Sequence, residues 1–189
     1  TGKGFRDSLA ILSELIPMEE LRFQTGTKVF DWTVPREWSV KDAYIVAPNG
    51  RKIAEFSKNN IHLMGYSAPF RGSLPLEVLK KHLYSVPEHP NLIPYLTTYY
   101  RERWGFCLSH GELSALKPGD YEVVVDTELK DGHLVLGEAV LAGASTKEIL
   151  FSTSLCHPSL ANNELSGPLA VASLYQRLKR LPERKFTYR

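Results

Sequence analysis

Residues 148–155 form a short, nearly continuous apolar run, a polar loop follows at 156–167, and residues 168–181 place apolar side chains on more than one side of a helix. A buried strand with a helix packed on its sheet reads in this way. Residues 186–188 begin another strand. Strand, loop, helix and strand make a βαβ unit with a right-handed crossover, which commits this part of the chain to an α/β domain. One helix and two strands cannot cover a parallel sheet, so the pattern predicts that the α/β domain continues past Arg189.

The texture before this unit is different. Leu9, Ile11, Leu12, Leu15 and Ile16 make a helical stripe that Pro17 stops, predicting an opening helix over residues 8–16. From 30 to 66 short β-rich pieces are broken by Pro35, Pro48, Pro69 and the Asn49–Gly50 turn, as in a small β domain. Leu76, Leu79 and Leu83 share one face of a predicted helix over 76–86, with Lys80 and Lys81 on another. Residues 121–129 and 133–141 read as two strands joined by Lys130–Asp131–Gly132, a hairpin signal.

Several classes of function are excluded early. Lys and Arg number 23 against 21 Asp and Glu, a net charge of +2, and no basic run forms a stripe for phosphates, so nucleic acid is not an expected partner. No apolar run is long enough to span a bilayer, and residues 1–16 carry Lys3, Arg6, Asp7 and Glu14 in place of a signal-peptide core, so no membrane partner is expected. Cys107 and Cys156 are far apart and neither belongs to a CxxC pair; a reducing cytoplasm suits them better than a disulfide framework.

Chemistry concentrates in the loop between strand and helix. In an open α/β sheet, ligands collect at the carboxyl ends of strands, and His157 lies just past such an end, with Asn163 and Glu164 at the start of the next helix. Free N–H groups and a positive dipole end suit anions and metal-bound oxygens there. By spacing alone His157 reads first as a strand-end histidine bonded to backbone. Asn163 and Glu164 read equally as helix-start residues, with Ser166 or Gly167 capping and Pro168 in the first turn. Cys156 precedes His157, and strand neighbours point to opposite faces, which favours a buried structural thiol over a Cys–His nucleophilic pair. His62, His110 and Tyr66 are candidates to line a substrate cleft. Trp32, Trp38, Trp104, Tyr95, Tyr99 and Tyr100 read as the core of a β domain or as a platform for sugar or peptide.

The string HPSLANNELSG at 157–167 resembles the His-containing strand end and following turn of co-catalytic zinc aminopeptidases of the aminopeptidase Y and glutamate carboxypeptidase type. DWTVPREW at 31–38, NNIHLMGYS at 59–67, IPYLTTYY at 93–100, WGFCLS at 104–109 and CHPSLANNELSGP at 156–168 together are similar to a bacterial family of aminopeptidase-like proteins. That family is sometimes described as polysaccharide-biosynthesis proteins with an aminopeptidase-like domain.

The resemblance implies a partial zinc-peptidase-like α/β/α sandwich built from residues 1–26 and 111–189, with a smaller β-rich domain, 27–110, inserted near the N-terminus. It puts His157 where the zinc peptidases carry their first histidine ligand and Asn163 where they carry an aspartate bridging two zinc ions. The asparagine is a departure, because a neutral amide replaces a bridging carboxylate poorly. Glu164 beside it is a further candidate ligand, and Ser159 stands where many of these enzymes have an aspartate that orients the histidine. The implied activity is a zinc-dependent hydrolase of peptide or amide bonds whose remaining ligands and general-base glutamate lie after Arg189. The expectation for the 189-residue chain is no stoichiometric zinc, no activity by itself, and homo-oligomer formation or association through the incomplete sheet. The alternative is a non-catalytic binding or accessory module that keeps the fold.

Overall fold

The strand Asp120–Lys130 shows how one half of the chain is built. Its Tyr121, Val123, Val125 and Thr127 are buried while Asp120, Glu122, Asp126 and Glu128 face solvent, the period of two expected of a strand with one side on a core. In the computed structural model, which describes residues 2–157 and 159–189, this strand lies inside a four-stranded sheet. Phe70–Pro75 pairs with it antiparallel, Phe70 opposite Val125 and Leu74 opposite Tyr121. On its other side runs Glu37–Val46, itself paired antiparallel with Lys52–Ile53.

Leu76, Leu79, Leu83, Trp104, Phe106 and Leu108 pack onto Ala43, Ile45, Val123 and Val125 in one continuous core. Each fully buried large apolar side chain contributes about 1.5–3 kcal/mol. One serine satisfies several of the polar groups inside. The Ser67 carbonyl accepts from the Trp38 indole at 2.9 Å and from the Thr127 hydroxyl at 2.8 Å, and the Ser67 hydroxyl donates to the Met64 carbonyl at 2.6 Å. This half, residues 38–130, is one compact unit.

Residues 1–37 and 131–189 form the other unit. Glu19–Gln24 pairs antiparallel with His133–Glu138. The opening helix Lys3–Ser13 buries Leu9, and a side chain at Gly137 would meet Leu9 Cδ1 at 2.6 Å, so a larger residue there would force Leu9 to shift. Ser145–Ile149 and Phe186–Tyr188 are parallel neighbours, and the helix Ala161–Lys179 lies between them in sequence. Strand, helix and parallel strand therefore follow one another as the sequence pattern predicts. Arg189 closes this pair, reaching Glu138 at 2.8 Å and Glu148 at 2.9 Å, and the arginine holds the Glu148 carboxyl below its usual range.

Several expectations change. The residues 121–129 and 133–141 do not pair as a hairpin: Asp120–Lys130 joins the four-stranded sheet and His133–Glu138 joins Glu19–Gln24. Lys130–Asp131–Gly132 takes up neither turn nor bend, and partners elsewhere claim both strands. The predicted strand over 148–155 is the earlier Ser145–Ile149, and 150–157 runs without ladder pairing. The long helix begins before Pro168 and contains it. The predicted helix over 76–86 shortens to Leu76–Leu79 with a tighter turn at Lys80–His82, and Leu83–Tyr84 pairs as a strand with Phe106–Cys107.

The boundaries drawn at 27 and 110 differ from the compact units, which divide after Glu37 and after Lys130, because Asp120–Lys130 is bound into the sheet of residues 38–130. The whole is mixed α/β with several small sheets. Among the described residues no helix is long and apolar enough to cross a membrane.

Candidate functional site

After Ile149 the chain runs outside any strand to His157, with the Phe151 N–H donating to the Arg189 carbonyl at 2.8 Å, then turns at Ser159 with φ +60° and enters the helix Ala161–Lys179. Pro158, within the HPSLANNELSG string, lies outside the described residues. A non-glycine residue in the left-handed region is uncommon, and it folds the chain back so that the first helical turn faces the segment before it. Gly167 matters for the same approach: a Cβ there would meet the Thr153 side chain.

Glu164 ties loop and helix together. It is 4% exposed, so its carboxylate needs partners, and they are at hand. Oε2 accepts from the Cys156 backbone N–H; Oε1 lies 2.7 Å from His157 Nδ1 and 2.9 Å from Asn163 Nδ2. Asn163 Nδ2 is also 2.9 Å from His157 Nδ1. The acid sits in the first helical turn, where the dipole favours a negative charge. Pro168 has no amide hydrogen to return to the Glu164 carbonyl, so the ordinary i to i−4 bond is missing just where the loop is clamped.

Three of the sequence-derived candidates, His157, Asn163 and Glu164, are thus brought within hydrogen-bond distance of one another. Cys156 contributes its backbone amide, and its thiol is on the exposed side of the loop. That corrects the expected buried thiol: 150–157 is not a ladder strand, so strand alternation does not govern it. Sequence reasoning missed the part played by Glu164, a buried acid eight positions beyond the amide it binds. Its one sequence signal is an acid among Asn, Ser and Gly.

The cleft candidates His62, His110 and Tyr66 belong to the unit 38–130, as do the candidate aromatics apart from Trp32. His62 donates from Nδ1 to the Cys107 carbonyl at 2.8 Å, and His110 Nδ1 lies 2.9 Å from the Ser85 hydroxyl. Tyr66 stacks on Trp38 at 5.7 Å and meets Tyr99 at 4.4 Å, with Tyr99 in edge contact with Tyr100. Trp104 is buried, stacked between Phe70 and His82. The aromatics therefore divide between core and surface.

The unit carrying His157 also holds an apolar cavity of about 480 Å³. Leu12 and Met18 line it, as do Leu136, Phe151 and Val171, and it reaches residues 152–156 of the site loop.

Residues 37–128 match a family model described as "Domain of unknown function (DUF2172)". Over all 189 residues the chain is 43% identical to a Clostridium acetobutylicum protein named "Putative polysaccharide biosynthesis protein with aminopeptidase-like domain". The chain spans 43% of that relative's length. It is also similar to a crystal structure of a "putative peptidase" from Clostridium acetobutylicum, with a TM-score of 0.93 and 43% identity, covering 100% of this chain and 44% of that one.

Proposed function

We propose that residues 1–37 and 131–189 are the first part of a zinc-dependent peptidase domain that hydrolyses peptide or amide bonds, with His157 as one of its metal ligands. The observation that carries this is the clamp of Cys156, His157 and Glu164 at a strand-to-helix loop. The names of the two relatives, an aminopeptidase-like domain and a peptidase, support it.

The donor set fits one corner of a zinc site and not a whole one. Among the described residues no three His, Cys, Asp or Glu side chains stand together as an ion would need, and catalytic zinc takes about three protein ligands and a water. The remaining ligands belong, in this proposal, to the part of the longer protein that the relative's length leaves room for. Zinc, when bound, lowers the pKa of its water and polarises a carbonyl. The residues in hand supply the imidazole and hold it still.

Replacing His157 by Ala in the whole protein should lower bound zinc and peptide hydrolysis together and leave the fold intact, since the side chain adds little to the core. Equal zinc content in variant and wild type removes His157 from the site.

A second reading rests on Asn163, whose amide nitrogen is engaged with the Glu164 carboxylate where the resemblance implies a bridging acid. In that reading the unit is an accessory module that keeps the fold and binds without hydrolysing. Absence of zinc from the purified whole protein decides for it.

A further inference from the structure

We propose that Glu164 is a positioning residue that sets the tautomer of His157, placing the ring hydrogen on Nδ1 and the lone pair on Nε2; its consequence for metal binding rests on the proposed role of His157 as a ligand.

The argument is a count of donors and acceptors. His157 Nδ1, Asn163 Nδ2 and Glu164 Oε1 form a triangle with sides of 2.7, 2.9 and 2.9 Å. An amide nitrogen only donates and an ionised carboxylate only accepts. If Nδ1 accepted from Asn163, its lone pair would face the Oε1 lone pairs at 2.7 Å with no hydrogen between them. If Nδ1 carries the hydrogen, Oε1 accepts from both neighbours, and the Asn163–His157 approach follows from sharing one acceptor. The surroundings suit a group that only accepts: Cys156 N–H donates to the other oxygen and the helix N-terminus favours negative charge. Three donors then converge on the carboxylate, and Glu164 acts through His157 as a positioning residue.

The same count explains the departure at position 163. An aspartate there would set a second carboxylate about 3 Å from a buried one, and two such charges cannot both be kept. Asn163 instead adds a donor. A carboxylate that receives the Nδ1–H of a ligating histidine fixes ring orientation and raises ligand basicity.

The test is the side-chain nitrogen spectrum of His157, assigned by its absence in H157A. It is recorded near pH 8.5, well above the ordinary imidazole pKa of about 6.5. Wild type should show a protonated Nδ1 and an unprotonated Nε2. In Glu164→Gln the single oxygen is claimed by Cys156 N–H, which cannot accept, so the new NH2 faces Nδ1 and the hydrogen moves to Nε2. The two nitrogen signals should exchange character, and Zn²⁺ affinity of the whole protein should fall about 10–100-fold. Glu164→Asp, which keeps a carboxylate, should retain the wild-type tautomer.

An Nε2–H tautomer in wild type overturns the proposal, and that measurement decides it even where a variant does not fold. Unchanged nitrogen signals in Glu164→Gln overturn it as well. Unchanged zinc in H157A, with the Nδ1–H tautomer present in wild type, overturns only the ligand role of His157 and leaves the Glu164 assignment standing.

Discussion

The two compact units bury different kinds of polar group. Inside residues 38–130 the buried polar side chains are hydroxyls, Ser67, Thr98 and Thr127, set into a closed apolar core. Inside the unit that bears His157 they are carboxylates, Glu37 and Glu164, and large apolar side chains such as Leu150, Leu165 and Leu169 stand exposed. Neutral hydroxyls are inexpensive to bury once hydrogen-bonded, so the first unit takes its stability from packing. A buried carboxylate costs several kcal/mol unless paired, and what it secures is a fixed arrangement of its partners. Glu37 shows this: its Oε1 takes Arg6 at 2.6 Å and the His133 backbone N–H at 3.0 Å, linking the opening helix to the strand His133–Glu138.

The contrast predicts a ranking. Phe106→Ala, at a side chain with 0% exposure, should cost about 3–5 kcal/mol, whereas Leu169→Ala, at 48% exposure, should stay within about 0.5 kcal/mol. Denaturant unfolding of both variants checks this, and equal losses would dissolve the distinction between a closed and an open core. Glu37→Gln comes next at about 2 kcal/mol, because Arg6 is only partly shielded from water and the full cost of a broken buried pair does not apply. Its effect should appear in hydrogen exchange of Lys3–Ser13 and His133–Glu138 and leave Asp120–Lys130 protected.

The thiols separate the units by reactivity and by pH. Burial pushes the Cys107 thiol up to about 11, while Cys156 is exposed. A thiol reagent at pH 8 should label Cys156 and spare Cys107 until unfolding. Between about pH 9 and 11 the unfolded chain ionises Cys107 and the folded chain does not. The folded state then binds more protons, and stability falls as pH rises through that window. Cys107→Ala should remove this slope; a slope that persists assigns it to another group.

The smallest effect is expected at Glu148, whose pairing with Arg189 lies at the surface. Glu148→Gln should lower stability only slightly, and less in high salt. A larger loss would mean that the parallel pair Ser145–Ile149 and Phe186–Tyr188 depends on this clamp.

Periodicity in the chain was enough to indicate an opening helix, a long helix and a parallel strand on either side of it, because spacing of apolar residues reports which face is buried. The bounds moved: the helix expected over 8–16 is Lys3–Ser13, the strand expected over 148–155 is Ser145–Ile149 and the helix expected over 168–181 is Ala161–Lys179. Nor could periodicity say against what each face packs. Residues 120–130 and 133–138 carry good strand patterns with turn-forming residues between them, yet they pair in different sheets, the first with Phe70–Pro75 and the second with Glu19–Gln24. The site divides along the same line. His157, Asn163 and Glu164 stood out as candidates by their position in the loop and by the family resemblance of the string around them. That Glu164 is buried, that its oxygens meet an amide and an imidazole, and that Cys156 faces outward follow from the left-handed turn at Ser159 and the early start of the helix. A one-dimensional pattern encodes which surfaces seek burial; hydrogen-bond partners depend on atoms meeting within about 3 Å, and that is settled only when distant segments dock.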